Sequence, residues 1–257
     1  MITELTLTKS NRLKLAQAFR HNPRVDISIE CVVEGQMGTV FVDAPQNPTV
    51  YRIVLGPFWY LAGEAKSTAG HEMVKDLPAY TLLMPSPADW VQVAQEIYGT
   101  RLLEFSRYSF VADGLSLDHL LKLLNQSRYR EAIKPIDVAL AAQFRQDAKG
   151  CVDLSAFDSA EDFVTRGVGF CLPIGEDVVA AAYSSLVCSQ GIEVSVFVEQ
   201  KYRECGIATA LASKLALYCL ERGWEPHWDA ANLESCKLAE KLGYRRSGAY
   251  TAYYREE

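Results

Sequence analysis

Apolar and polar positions along the first half of the chain predict strands with a few helices between them. Residues 10–20 carry apolar side chains at helical spacing, and an Asn-Pro pair ends that segment. Between residues 25 and 61, β-branched and aromatic runs such as ISIECVVEG, GTVFVDA and TVYRIVLGPFWYLAG lie between Gly, Pro and Asn turns, which predicts strands. We expect further helices from Ala88 and after Ser116. The strand YTLLMP comes before the first of these helices, and the strand RLLEFSRYSF comes between the two.

A charged stretch, SRYREAIK at residues 127–134, marks the predicted domain boundary. Beyond it we expect helices over residues 136–147 and within DSAEDFVTR. The strands VGFCL, VVAAAYSSLVC and IEVSVFV then follow. The pattern predicts an α+β (α/β) fold with two domains, residues 1–128 and residues 129–257. The first domain mixes strands and helices and carries no motif with recognisable chemistry.

One strand, turn and helix in the second half is suited to binding an anion. The strand IEVSVFV is followed by a polar turn, EQKYRECG, and then by helical spacing from about Ile207 to the stop at Gly223. The first four N–H groups of a helix lack intrahelical partners and its dipole end is positive, so such a helix N-terminus holds phosphate. Gly206 and Ala208 leave room for the phosphate, and Arg203 adds a cation.

The spacing of this turn resembles the pyrophosphate-binding signature of the GNAT superfamily of acyl-CoA N-acetyltransferases, V-x-P-x-x-R-G-x-G-x-G/A. The match begins at Val198 and departs at two positions, where Gln200 replaces the common Pro and Glu204 replaces the first Gly. A second block, residues 232–244, resembles the closing motif N-x-x-S/A-x-x-L-Y-x-K-x-G-F/Y of the same superfamily. The order of the surrounding segments resembles a bacterial two-domain subgroup that includes zwittermicin-resistance acetyltransferases.

The resemblance implies that residues 129–257 adopt the GNAT fold, a mixed central sheet with flanking helices. It implies acetyl-CoA as cosubstrate, with its pantetheine arm in a gap of the sheet, and a small-molecule amine as acceptor. The N-terminal α+β domain is then expected to recognise that acceptor. The residues implied to bind the cofactor are Val196, Phe197, Val198, Arg203, Glu204, Cys205, Gly206, Ile207, Ala208, Asn232 and Ser235.

Moving an acetyl group from a thioester to an amine requires a base for the amine proton and a proton source for the leaving thiolate. By resemblance we expect the base to be Glu193, whose alternative role is a solvent-facing or ion-paired carboxylate. A carboxylate with a pKa of about 4.3 is a weak base and needs burial or a water relay. The usual Tyr of the closing helix is Ala239 here, so the candidate acids are Ser235, Tyr244 and a bound water. Tyr244 could instead be a core residue, and Asn232 could be a helix cap.

Composition narrows the remaining classes of function. The net charge of −6 and pI of about 5.4 argue against nucleic acid or an anionic membrane as the main partner. No apolar run approaches the roughly 20 residues of a membrane helix, and the start of the chain lacks the pattern of a signal peptide.

The cysteines and histidines give no sign of metal chemistry. The seven cysteines form no CxxC pair and the four histidines form no HExxH, so we expect a cytoplasmic protein with reduced thiols and no metal. The sequence leaves the oligomeric state open. Two other functions stay open as well: acetylation of a protein N-terminus or lysine, and non-catalytic sensing of acyl-CoA. Ala239 and Glu204 permit the second.

Overall fold

The computed structural model describes residues 2–147 and 152–257. The chain divides into two compact units, Met1–Arg107 together with Ala249–Glu257, and Tyr108–Gly248. Residues 108–128 therefore fold with the second unit. The functional boundary predicted between residues 128 and 129 stays a prediction, and Cys151 lies outside the described residues.

The first unit is a sheet with helices. Its elements are β1 (Thr3–Glu4), α1 (Lys9–Ala18), α2 (Ser28–Val33), β2 (Thr39–Val42), β3 (Val50–Leu55), β4 (Phe58–Gly63), α3 (Thr68–Lys75), β5 (Leu82–Leu83), α4 (Ala88–Tyr98) and the first part of β6 (Leu102–Val111). The strands lie in the order β1-β2-β3-β4-β5, and Tyr253 near the C-terminus pairs with Leu83 of β5. A core centred on the fully buried Trp90 packs α3 and α4 against the sheet.

One prediction for this unit is wrong. The stretch ISIECVVEG was expected to be a strand, but Ser28–Val33 form helix α2. A short apolar run is compatible with either element, so neighbouring residues decide between them. Here the Asp26 carboxylate accepts a hydrogen bond of 2.9 Å from the backbone N–H of Ser28 at the start of the helix. The two strands expected in TVYRIVLGPFWYLAG are confirmed as the antiparallel pair β3 and β4.

The second unit contains the motifs singled out in the sequence. Its elements are the end of β6, α5 (Leu117–Asn125), β7 (Lys134–Pro135), α6 (Val138–Gln146), α7 (Ala160–Arg166), β8 (Gly169–Ile174), β9 (Asp177–Cys188), β10 (Gly191–Val198), α8 (Ile207–Leu220), β11 (Glu225–His227), β12 (Asp229–Ala230), α9 (Leu233–Leu242) and the start of β13 (Arg245–Arg255). Five strands form a sheet in the order β11-β10-β9-β8-β7. The α+β fold with flanking helices is confirmed.

Helix α8 is the buried centre of this unit. It packs on β8, β9 and β10, while α5 and α9 pack on α8. Leu211 and Leu215 are fully buried, because the helix is covered on several sides and is apolar nearly all round. The predicted start at Ile207 is confirmed. The turn that joins β10 to α8 therefore connects two rigidly packed elements.

Candidate active site

The sheet of the second unit opens beside β10. Strand β10 pairs in parallel with β11 only from Gly191 to Glu193, where the partner residues are Glu225 to His227. A register shift follows between Glu193 and Val194, although β10 stays paired with β9 as far as Val198. The next short strand, β12, pairs instead with the end of β6. Among the residues that the structure describes, no strand of this sheet therefore lies beside the β11-facing edge of β10 beyond Glu193.

The turn after β10 ends at a helix whose N-cap residue is a glycine. Gly206 is the N-cap of α8, with φ of 80°, and it has no side chain to cap the first turn. A Cβ built at Gly206 would meet no atom within 4 Å outside its chain neighbours and the helix backbone, so the space beside this residue is open. Arg203 Nε donates a hydrogen bond of 3.2 Å to the carbonyl of Val198, which holds this exposed cation at the end of the strand. These features fit an anion.

Glu204 occupies a backbone conformation that favours glycine. Its φ is 62°, in the left-handed region that costs an ordinary residue about 1–2 kcal/mol. This explains why the related signature carries Gly here. The Glu204 side chain is exposed, so its charge is in contact with water.

A cavity of about 340 Å³ opens over the same helix N-terminus. Its lining residues are Leu123, Gln126, Ser127, Arg128, Tyr129, Cys205, Gly206, Thr209 and Lys241. They come from the turn, from α8, from α9, from the end of α5 and from the segment that follows it. The cavity is thus bounded by backbone N–H donors and by two cations.

Glu193 lies buried where β10 and β11 separate. Its Oε1 accepts a hydrogen bond of 3.0 Å from the backbone N–H of Asp229. The backbone carbonyl of Glu193 accepts a bond of 3.3 Å from Ser185 Oγ. His227 is its register partner on β11. The carboxylate therefore has a fixed orientation beside the end of the β10–β11 pairing.

Comparisons with known proteins agree with this geometry. A family model described as GNAT acetyltransferase matches residues 18–253. The chain belongs to the GNAT acetyltransferase family. It is 31% identical to a GCN5-related N-acetyltransferase-like protein from Streptococcus suis 89/1591, with a TM-score of 0.84 over 96% of this chain and 99% of that chain.

A second relative comes from Bacillus subtilis (strain 168). It is named "Uncharacterized N-acetyltransferase YdfB" and is 26% identical over 268 residues, which is 99% of this chain and 98% of the relative. A GCN5-related N-acetyltransferase from Sphaerobacter thermophilus shares the fold, with a TM-score of 0.56 at 14% identity over 99% of this chain and 95% of that chain. The protein is therefore an acyl-CoA-dependent N-acyltransferase. The narrower resemblance to zwittermicin-resistance acetyltransferases is not confirmed.

The geometry of this GNAT protein fits acetyl-CoA. The N-terminus of α8 can take a pyrophosphate, and the edge of Val196–Val198 that β11 does not cover can pair with an amide-containing arm. Residues 2–147 and 152–257 hold no group of three or more His, Cys, Asp or Glu that could bind a metal ion. Over the same ranges, no helix has the length and apolar character needed to cross a bilayer.

Tyr244 has the surroundings of a core residue. It is buried, its ring centroid lies 5.3 Å from that of Trp228, and its hydroxyl donates a hydrogen bond of 2.9 Å to the carbonyl of Pro226. Burial, with smaller effects from the charges of Cys219, Glu193 and Glu225, raises the pKa of Tyr244 well above its usual value. A hydroxyl already donated to a carbonyl, with a raised pKa, is poorly suited to release a proton. We therefore do not retain Tyr244 as an acid candidate.

Asn232 and Ser235 meet at the start of α9. The Asn232 carboxamide oxygen accepts a hydrogen bond of 2.8 Å from the N–H of Ser235, so Asn232 caps the helix. Ser235 Oγ accepts a bond of 3.1 Å from Trp228 Nε1. The hydroxyl hydrogen of Ser235 can therefore be donated to another group. Ala239 is fully buried in the middle of α9.

Sequence reasoning missed the residues that line the cavity opposite the turn. Arg128 and Tyr129 belong to the charged stretch that was interpreted only as a domain boundary. Lys241 occupies the Lys position of the closing motif but was given no role. The density of basic residues in SRYREAIK was the available indication, and only the packing of α5 on α8 shows that this stretch lies near Gly206.

Proposed function

We propose that this protein transfers an acetyl group directly from acetyl-CoA to a primary amine of a small molecule. The observation that supports it best is the end of β10–β11 pairing at Glu193. Strand β10 thereby carries a buried carboxylate, followed by an edge that is open to an extended ligand. The turn after the strand then leads to the N-terminus of α8. These are the three parts that acetyl transfer needs: a base, a thioester site and a phosphate site.

The predicted cofactor-binding residues are assigned to two parts of acetyl-CoA, the pantetheine arm and the pyrophosphate. The pantetheine arm pairs with the backbone of Val196, Phe197 and Val198, whose N–H groups also polarise the thioester carbonyl. The pyrophosphate lies on the N–H groups of the turn and on the Arg203 guanidinium. The turn residues assigned to it are Arg203, Glu204, Cys205, Gly206, Ile207 and Ala208, while Asn232 and Ser235 contact the arm from α9. When bound, acetyl-CoA supplies the activated acyl carbon.

Glu193 accepts the proton of the attacking amine, directly or through one water. As the new C–N bond forms, positive charge develops on the nitrogen, and the carboxylate removes it by accepting the N–H proton while the C–S bond breaks. The hydrogen bond from Asp229 keeps Oε1 in one orientation, which reduces the reorganisation needed at this step. Burial strengthens the attraction between the carboxylate and the ammonium.

Ser235 is retained as a relay: its hydroxyl donates a hydrogen bond to the departing thiolate and passes on a proton that a bound water brings from solvent, so the hydroxyl ends the step protonated. A thiol has an ordinary pKa of about 8.5, so its thiolate does not need a strong acid. This leaves Ala239 compatible with catalysis. The first compact unit, which carries its own core, is assigned to acceptor selection, because it supplies protein surface beyond what the transfer chemistry requires.

Glu193→Gln tests the base. We expect kcat to fall about 10²- to 10⁴-fold, because the amide cannot take the proton, while the Kd for CoA changes less than about twofold. The kcat/KM of wild type should also fall at acid pH, where a carboxylate base becomes protonated, and the pH profile of the variant should lack this fall. The matched control is Glu176→Gln, an exposed carboxylate in the turn between β8 and β9, which should keep wild-type kinetics.

The same assay separates the alternatives. Unchanged kcat in Glu193→Gln would remove Glu193 from the mechanism and leave the transferase. Acetylation of peptides or proteins with no small amine modified would replace the acceptor class. Tight CoA binding by wild type without transfer to amines, peptides or proteins would favour the acyl-CoA sensor.

A further inference from the structure

The cavity over the turn has a wall that the cofactor motifs do not supply. Leu123 in the last turn of α5 and residues 126–129 after it lie outside both GNAT motifs, yet they line the cavity together with Cys205 and Gly206. Helix α5 packs on both α8 and α9. His119 Nε2 lies 2.9 Å from the carbonyl oxygen of Lys241, a contact that joins α5 to the last turn of α9. The wall is therefore a fixed part of the second unit.

Two cations line the cavity, one on this wall and one on α9. Arg128 is exposed, and its Nη2 donates a hydrogen bond of 2.7 Å to the hydroxyl of Tyr129. The Arg128 guanidinium carbon also lies 4.9 Å from the centroid of the Tyr129 ring, so one neighbour restricts its orientation. Lys241 lines the same cavity from α9. No carboxylate is among the residues that line the cavity, and the acidic side chains of the adjacent turn are Glu204 and Glu199, the second of which pairs with Lys201.

The pyrophosphate alone does not account for both of these cations. In the proposed function its charge is met by the N–H groups at the start of α8 and by Arg203. An acyl-CoA carries a third phosphate on the ribose 3′ position. This is a monoester with a second pKa of about 6, so it holds between one and two negative charges at neutral pH. An Arg and a Lys that line one cavity match such a group, the Arg by its fork of donors and the Lys as a point charge.

We propose that Arg128 and Lys241 bind the 3′-phosphate of acyl-CoA, and that this contact makes the protein select CoA over 3′-dephospho-CoA. The inference rests on the proposed function, since it takes the turn as the pyrophosphate site. It adds a specificity determinant for the donor. Residues 123–129 thereby acquire a role in cofactor recognition in addition to their place at the predicted domain boundary.

The test is a comparison of two ligands across two variants. The Kd values of CoA and of 3′-dephospho-CoA are measured by calorimetry for wild type, Arg128→Ala and Lys241→Ala at one low and one high ionic strength. We expect wild type to prefer CoA by about tenfold or more, and each variant to lose about three- to tenfold in affinity for CoA only. Affinity for 3′-dephospho-CoA should stay within about twofold of wild type, and the preference should shrink in high salt.

Arg130→Ala and Lys237→Ala are the matched controls. Both are exposed cations close in sequence to the proposed pair, and neither lines the cavity. Equal losses for both ligands in Arg128→Ala would mean that this cation acts on the pyrophosphate, which would overturn the proposal. Equal effects of the controls, or no preference in wild type, would also overturn it. Absence of binding of either ligand to wild type would instead contradict the proposed function itself.

Discussion

At the scale of single residues, Glu204 shows how a departure from a family signature can be tolerated. A non-glycine residue with φ of 62° is strained, and a carboxylate beside a phosphate site is unfavourable. Both effects are limited, because the side chain is exposed and the proposed phosphate site relies mainly on backbone N–H groups. The position therefore costs stability and affinity without removing the site.

Two substitutions at Glu204 separate these effects. Glu204→Gly should raise the free energy of unfolding by about 0.5–1 kcal/mol, since relief of the left-handed strain exceeds the entropic cost of Gly. Glu204→Gln keeps the strain and removes the charge. Both should lower the KM for acetyl-CoA about two- to fivefold at low salt. Urea denaturation and initial-rate kinetics measure the two quantities, and a less stable Glu204→Gly would contradict this account.

At the scale of elements, the site depends on a close approach of β10 to β11. A Cβ added at Gly191 would lie 1.9 Å from the carbonyl oxygen of Glu225. Only glycine lets the parallel pairing begin there, and this pairing sets the point at which the two strands separate. The buried carboxylate of Glu193 lies two residues further along the same strand.

Gly191→Ala should therefore loosen this end of the sheet. Overpacking of this kind typically costs about 1–3 kcal/mol, and we expect a loss at the upper end because the clash is with backbone. The Kd for CoA should rise as β10 shifts. Gly248→Ala in β13 is the control, because a Cβ added there would lie 3.9 Å from its nearest neighbour, Ser109 Oγ. Thermal unfolding compares the two, and equal stability of both variants would count against the predicted clash.

The sequence predicts correctly those elements whose apolar pattern extends over many residues and whose ends carry a glycine or a capping residue. IEVSVFV, the helix from Ile207 and the closing helix after Asn232 all form as expected, because each is bounded by a Gly or a capping residue. Short apolar runs were ambiguous, as α2 shows. The cavity wall could not be predicted, since Arg128 and Gly206 are distant in sequence and only tertiary packing brings them to one cavity. The buried environment of Tyr244 depends on packing in the same way.

At the scale of the whole molecule, the first compact unit has stability features of its own. Asp26 is buried and accepts hydrogen bonds of 2.6 Å from the Tyr60 hydroxyl and 2.9 Å from the N–H of Ser28. Burial raises the pKa of the Asp26 carboxyl above its usual value, and the hydrogen bonds and the charge of Arg107 offset this only in part. The folded first unit thus holds the proton of Asp26 more tightly than the unfolded chain.

This predicts a stability that falls as pH rises. A carboxyl whose folded pKa is raised contributes stability below its unfolded value of about 3.8, and loses it as pH rises through the folded pKa. The difference in unfolding free energy between wild type and Asp26→Asn should therefore decrease as pH rises above about 3.8, by about 1.4 kcal/mol per unit by which folding raises the pKa.

Asp43→Asn is the control with the opposite shift. Burial raises the pKa of Asp43, but hydrogen bonds from Thr49 and Val50 outweigh it and the net pKa is lowered. The difference between wild type and Asp43→Asn should be nearly constant over the same range, because its stability is lost only as pH falls through the folded pKa. Urea titrations at each pH measure both, and a flat profile for Asp26→Asn would contradict the assignment.

The central claim is that a strand followed by a helix with a glycine N-cap supports acetyl transfer from acetyl-CoA to a small amine. The most direct measurement incubates the wild-type protein with acetyl-CoA and a panel of primary amines. It follows CoA thiol release, and identifies N-acetylated products by mass spectrometry. The account predicts thiol release in equal amount to one or more acetylated amines. Saturable CoA binding, with no acetylated product from any amine across a broad panel, would contradict it.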